Sequence, residues 1–209
     1  MRTLFVPRTS LFFSLLICTL AVAMPAFPQA AEVYVTGGAS LLSNNSIGFD
    51  TLTTGSDTGY DIKLTDGFRL GFRLNINPGK FYGHEFGYAY NRTKFRLETP
   101  PATEYGTSIH TGFYDFLFHF TPEGSRIRPF VAAGVQFSTY AFPGYSAASG
   151  GGSTKFGVNY GTGVKVKVSS LYAVRLDIRQ YRNPKPFDFP GREGWLRQTE
   201  ISGGFGITF

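Results

Sequence analysis

The sequence runs to 209 residues, enough for one ordinary domain. With 42% hydrophobic but only 16% charged residues, 22 Phe, 12 Tyr and 26 Gly, it is too aromatic to be disordered and too polar for a bundle of membrane helices. A single Cys excludes an intrachain disulfide and a cysteine metal centre, and the formal charge of +6 is scattered, without the Lys/Arg runs that suit nucleic acid.

Residues 1–31 have the layout of a secretory signal peptide. Arg2 and Arg8 give the positive start, Leu11 to Ala23 form a short apolar run, and small residues follow at Ala21, Ala23, Ala30 and Ala31. Cleavage is expected after Ala31, with Ala23 as the rival position. A membrane anchor is disfavoured because the run is short and Pro25 and Pro28 follow it. Cys18 lies within the run and lacks the small residues that precede a lipidated Cys. The remaining domain, 32–209, contains no segment long and apolar enough for a spanning helix.

Along 32–209 the sequence alternates with a period of two, the pattern of strands with two unlike faces. In chain order the segments are Val33 to Leu41, Phe68 to Ile76, Glu85 to Asn91, Phe113 to Phe120, Pro129 to Phe137, Tyr160 to Lys167, Tyr172 to Arg179 and Ile201 to Phe209. The clearest has Phe68, Leu70, Phe72, Leu74 and Ile76 against Arg69, Gly71, Arg73 and Asn75. Short connections (Asn77-Pro78-Gly79-Lys80, Thr121 to Ile127, Ser169-Ser170) alternate with long polar stretches at roughly 43–64, 98–107, 139–154 and 182–196. An all-β, eight-stranded antiparallel up-and-down barrel predicts that alternation, with turns on one rim and loops on the other.

Alternation alone does not say which face is outside. A soluble carrier would turn its apolar face inward. The inverse, membrane-spanning arrangement is favoured by three features. The polar faces carry Gly and Ala beside the charges, as a crowded interior requires. Tyr82, Tyr90 and Tyr172 lie towards segment ends, as in an aromatic girdle. The chain ends on Phe209, with Ile207, Phe205 and Ile201 on the same face. That ending resembles the terminal-strand signal of bacterial outer-membrane barrels. Arg128 to Val135 and Asn159 to Lys165 also resemble strands of the small OmpA-like barrels. The resemblance spans about 32–209. It implies a Gram-negative outer-membrane location, outer-membrane lipid and lipopolysaccharide as surroundings, and a barrel-assembly signal at Ile201, Phe205, Ile207 and Phe209. No peptidoglycan-binding domain follows Phe209, so tethering to the cell wall is not expected.

The polar faces would place Arg69, Arg73, Lys165, Lys167, Arg175 and Arg179 against Glu85, Asp115, Asp177 and Glu200 in the lumen. An eight-stranded barrel is just wide enough for side chains to fill, and buried charges there must pair. The network is expected to plug the barrel; a gated ion path with a slight anion preference is the alternative. Catalysis is not expected. Ser108 and His110 share a face near Glu104, but the His-x-Ser of outer-membrane lipid A deacylases is absent, with Gln180-Tyr181-Arg182-Asn183 in the comparable region. His84 is expected at the membrane interface and His119 inward near the short-turn rim. The scattered His and carboxylates suggest no metal and no cofactor. The loop aromatics Tyr140, Phe142, Tyr145, Phe187, Phe189 and Trp195 are candidate recognition anchors or interface residues. A structural or adhesion role through the loops, a narrow channel and a lipid-modifying enzyme are the three functions in view, with no nucleic-acid partner and an unidentified extracellular one.

Overall fold

Residues that alternate between large apolar and small or charged side chains can satisfy every backbone amide in a membrane only by pairing round a closed cylinder. The computed structural model describes residues 30–42, 46–50, 59–145, 152–187, 189–191 and 193–209. Most of the predicted signal peptide lies outside the described residues. The strands are β1 (Ala30–Leu41), β2 (Ser46–Asp50), β3 (Tyr60–Leu64), β4 (Gly67–Asn77), β5 (Tyr82–Leu97), β6 (Thr103–His119), β7 (Ile127–Ala141), β8 (Gly152–Lys167), β9 (Tyr172–Pro184) and β10 (Trp195–Thr208). Eight of them close into an antiparallel barrel in the order β1, β4, β5, β6, β7, β8, β9, β10, and β10 returns to β1.

The seam is a full ladder. Val33 faces Ile207, and Ala39 faces Ile201. Beyond the last strand residue, the Phe209 amide donates to the Ala31 carbonyl at 2.8 Å. Leu70, Phe72, Leu176 and Ile178 are 48%, 48%, 63% and 55% exposed, whereas Arg73 and Asp177 are 1% and 2% exposed. The apolar face is therefore the outer wall, and the charged face fills the cylinder. The inverse arrangement expected of a membrane barrel is the one adopted.

The connections 78–81, 120–126 and 168–171 and both ends of the barrel lie on one rim; the longer ones lie on the other. The long stretches are shorter than the sequence suggests, because β6 begins at Thr103, β7 continues to Ala141, β9 to Pro184, and β10 begins at Trp195. The first long stretch, 43–64, also contains structure of its own. Strands β2 and β3 form a hairpin with a bulge at Gly48, and β3 adds to the upper part of β5 through Ile62 opposite Leu97. Gly48 has φ +139°, and a Cβ there would lie 2.5 Å from the Phe189 Cβ. Only glycine lets the hairpin come this close to the loop between β9 and β10, where the Phe49 amide donates to the Pro190 carbonyl at 2.9 Å.

Candidate functional site: a filled lumen under an apolar cap

The inward residues stack in layers from the short-turn rim upward. At that rim Lys165 is hydrogen-bonded to Glu32, and Arg128 to Glu123. His119 is buried against the Phe130 ring, 5.9 Å between centroids. The free space among Glu32, Arg128 and Lys165 is about 20 Å³, close to the room of a single water. One layer higher, the Arg175 guanidinium lies 4.7 Å from the Phe130 ring and 5.4 Å from Tyr34. These rings offer a cation their π-faces in a dry space.

Glu85 occupies the centre. Its carboxylate accepts from Asn75 Nδ2 at 2.5 Å and Arg73 Nη1 at 3.0 Å, and from Arg175 Nη1; Arg179 Nη2 lies 2.6 Å away. Asp177 takes two bonds from Arg175, at 2.6 and 2.8 Å, and one from Arg179 Nε at 3.2 Å. Arg179 also bonds Asp115. Glu200 continues the network, accepting from Arg73 Nη2 at 2.6 Å, the Tyr181 hydroxyl at 2.7 Å and Ser202 Oγ at 2.6 Å, with Arg69 Nε 3.0 Å away. Forked guanidinium–carboxylate bonds are the strong kind, and they answer the desolvation that would otherwise forbid these charges.

Nine of the ten proposed lumen charges are inside: Arg69, Arg73, Glu85, Asp115, Lys165, Arg175, Asp177, Arg179 and Glu200 are all buried. Two details of the charge balance are corrected. Lys167 is half-exposed at the rim, and Glu32 is buried and paired with Lys165. With Arg128 and its partner Glu123 counted, the six bases Arg69, Arg73, Arg128, Lys165, Arg175 and Arg179 meet six carboxylates, Glu32, Glu85, Asp115, Glu123, Asp177 and Glu200, which removes the positive surplus that suggested an anion preference. Parity could have found Glu32, which lies two residues before inward Tyr34.

Above Glu200 the interior turns neutral. Ser40 Oγ accepts from Asn91 at 3.1 Å and Gln198 at 2.6 Å, and Thr111 and Ser138 hydroxyls lie 3.0 Å apart. Over this layer sits an apolar cap of Leu42, Ile47, Ile62, Leu64, Phe95, Ile109, Tyr140 and Leu196, against which Leu97, Phe187 and Phe189 pack. Tyr140 is therefore not a recognition-loop aromatic. It is 1% exposed near the end of β7, inward by the same parity as Gln136 and Ser138, and its hydroxyl accepts from Asn183 Nδ2 at 2.6 Å. Phe187 and Phe189 are half-buried in the cap, and Phe187 holds a left-handed φ of 60° while its ring lies 5.6 Å from both Phe95 and Phe142. Such a backbone persists only where packing fixes it. Phe142, Tyr145 and Trp195 are exposed. A cleft of about 460 Å³ opens beside the cap, lined by Asp50, Ile62, Phe95, Leu97, Tyr105 and Phe142 among others.

On the outer wall Ser108 Oγ lies 3.4 Å from His110 Nε2, and His110 Nδ1 lies 2.6 Å from the Tyr88 hydroxyl. The group beyond the histidine is a phenol. Glu104 instead accepts from Lys94 at 2.7 Å. His84 is outward, with Nδ1 2.7 Å from the Tyr114 hydroxyl. A recess of about 710 Å³ lies round Gly112 among Phe72, Phe86, Tyr88, Phe137 and Phe156 on the same apolar wall. Among the described residues no three His, Cys, Asp or Glu side chains gather as a metal site.

Residues 14–209 match the model of the outer membrane protein beta-barrel domain family. The chain belongs to that family. No curated protein matches it in sequence. In fold this outer-membrane barrel is similar to the outer membrane protein OprG from Pseudomonas aeruginosa (12% identity, TM-score 0.61, 87% of this chain and 97% of that one). It is similar also to Neisserial surface protein A (14%, TM-score 0.52, 87% and 97%) and to the outer membrane protein AlkL (11%, TM-score 0.51, 100% and 94%). The protein is an outer-membrane barrel of a Gram-negative bacterium.

Proposed function

We propose that this barrel is a closed scaffold whose loop rim recognises an extracellular partner. The carrying observation is that two unlike seals lie in series: an ion network bridging the lumen from Glu85 to Arg175 and Arg179, and the apolar cap above it. A pore needs a continuous wet path, and this interior is spent on side chains that hold one another. The rim in contrast presents Tyr105, Phe142, Tyr145 and Trp195, each exposed, with a cleft deep enough for a small apolar group. Phe187 and Phe189 support that surface from beneath.

Two measurements test the reading. Planar-bilayer recordings of the purified barrel are expected to show no open-channel current; stable unitary conductance would return the protein to the channel reading. Cells displaying the barrel are expected to lose adhesion to host or neighbouring bacterial surfaces when Tyr105, Phe142 and Tyr145 are replaced together by Ser, at unchanged surface level. Adhesion equal to that of cells without the barrel, before any substitution, overturns the recognition role. In lipid extracts, an acyl-chain mass change that requires Ser108 and His110 would favour an enzyme instead.

A further inference from the structure

Ascending the outer wall from the short-turn rim, β9 presents Tyr172, Val174, Leu176 and Ile178, and β10 presents Ile207, Phe205 and Ile201, with Phe209 just beyond its end. Each strand then has one neutral polar residue, Gln180 and Thr199, and next an arginine. These arginines, Arg182 and Arg197, are direct partners in the β9–β10 ladder. Side chains directly opposite on one face of an antiparallel pair have Cβ atoms about 5 Å apart, and like charges there repel. Neither arginine has a carboxylate partner among the described residues. Arg182 donates from Nε to Gln180 Oε1 at 3.4 Å, and its guanidinium lies 5.9 Å from the Tyr160 ring. The Tyr160 hydroxyl bonds the same Gln180 oxygen. Arg197 is exposed. Three bases on β3 and β5 have carboxylates instead: Lys94 has Glu104 at 2.7 Å, Arg96 has Glu98 at 3.3 Å and Lys63 has Glu98 at 3.4 Å.

The pair sits at the upper edge of the apolar wall, where lipid headgroups lie, on the rim opposite the chain ends. Directly below is a groove of about 510 Å³ lined by Val131, Tyr160, Thr162, Ile178, Gln180 and Thr199 among others. A charge clasp above an apolar groove fits an amphiphile with an anionic head and an acyl chain. Two guanidinium forks carried by directly paired residues can both reach a phosphate, whose several oxygens can accept from each. We propose that Arg182 and Arg197 together bind a phosphate group of a phosphorylated, acylated glycolipid of the outer leaflet, with an acyl chain lying in the groove beside Tyr160 and Ile178. The anion removes the repulsion that the register builds in.

The chain supplies a reporter. Trp195 is its only tryptophan and projects outward two residues from Arg197. The full barrel, folded in dodecylmaltoside micelles and checked by heat-dependent gel migration, is titrated with bisphosphorylated lipid A while Trp195 emission is followed. A saturable change is expected in the wild type. It should weaken by about tenfold or more in Arg182→Gln/Arg197→Gln, each lost charge-assisted contact being able to account for such a factor. Arg92→Gln, on β5, should bind as the wild type does. Dephosphorylated lipid A should bind as weakly as the double variant, and inorganic phosphate alone should give no saturable change over the same range. Equal affinity of the double variant, equal affinity for the dephosphorylated lipid, or saturation by inorganic phosphate would each overturn the proposal. Should the double variant not fold, Arg182→Lys/Arg197→Lys keeps the charge without the forks; binding weaker than wild type supports the clasp, and undiminished binding overturns it.

Discussion

Arg179 Nη2 lies 2.6 Å from Glu85 Oε1, although β9 and β5 are four strands apart in a barrel of eight. The contact runs across the full width of the lumen. Arg175 makes a second such crossing to the same carboxylate, and Arg73 joins it to Glu200 on β10. Opposite walls of the cylinder are thus tied through one buried acid.

Removing that acid should be costly. Glu85→Ala leaves Arg73, Arg175 and Arg179 facing one another with a single acceptor fewer on every side. Stripping one partner from a buried ion pair costs about 3–5 kcal/mol. The unfolding midpoint in denaturant, measured in lipid vesicles, should fall accordingly. Glu85→Gln/Arg179→Gln removes a charge of each sign and should recover part of the loss, giving a coupling energy of about 0.5–3 kcal/mol in a double-mutant cycle. Additive single effects would show that the crossing contributes nothing as a pair.

A second prediction concerns how the interior makes room for these charges. Gly87 points inward on β5, and a Cβ there would fall 2.0 Å from Phe113 Cζ. The Phe113 ring in turn lies 5.2 Å from the Arg73 guanidinium and 5.6 Å from that of Arg179. Gly87→Ala should destabilise the folded barrel by about 1–3 kcal/mol through overpacking. Gly87→Ala/Phe113→Leu should regain part of it, because the smaller side chain gives way. A double variant less stable than both singles would locate the strain elsewhere.

The two faces of the barrel were legible in the sequence because a bilayer makes every second residue answer to hydrocarbon. Leu70 and Arg73 could be assigned without coordinates for that reason. The partners across the lumen were not, since strand shear decides which inward residues meet, and nothing local links Arg179 to Glu85 or Lys165 to Glu32. Tyr140 was misplaced because β7 continues past the apolar wall. Beyond the bilayer the outward side becomes polar, as at Thr139, so the alternation fades while the inward parity persists. The β2–β3 hairpin was hidden for a similar reason. Its apolar residues Ile47, Ile62 and Leu64 answer to the cap and not to lipid, so they read as sparse hydrophobes in a polar loop.

That hairpin is expected to behave as a separable lid on the barrel. Leu64 is fully buried in the cap, and β3 meets β5 through only a short ladder. Leu64→Ala should cost about 2–5 kcal/mol where the cap cannot collapse into the space left. The loss should be local, because the barrel ladders do not pass through β3. Amide hydrogen exchange should accelerate in β2, β3 and the upper part of β5, while β1, β9 and β10 keep their protection. Uniform acceleration throughout the barrel would show that cap and barrel unfold as one unit.

Phe209 poses the opposite case, a side chain with an expected role and little structural duty. It is 73% exposed on the outer wall, and its amide, which any residue could supply, makes the bond to Ala31. Phe209→Ser should change the denaturant midpoint of the refolded barrel by no more than about 0.5 kcal/mol, as surface substitutions do. If the terminal aromatic is read by the assembly machinery, the same variant should accumulate less heat-modifiable barrel in cell membranes. The comparison separates recognition during insertion from stability afterwards. A variant that inserts at the wild-type level removes Phe209 from the assembly signal, and one whose refolded barrel is also strongly destabilised shows that the residue holds the seam.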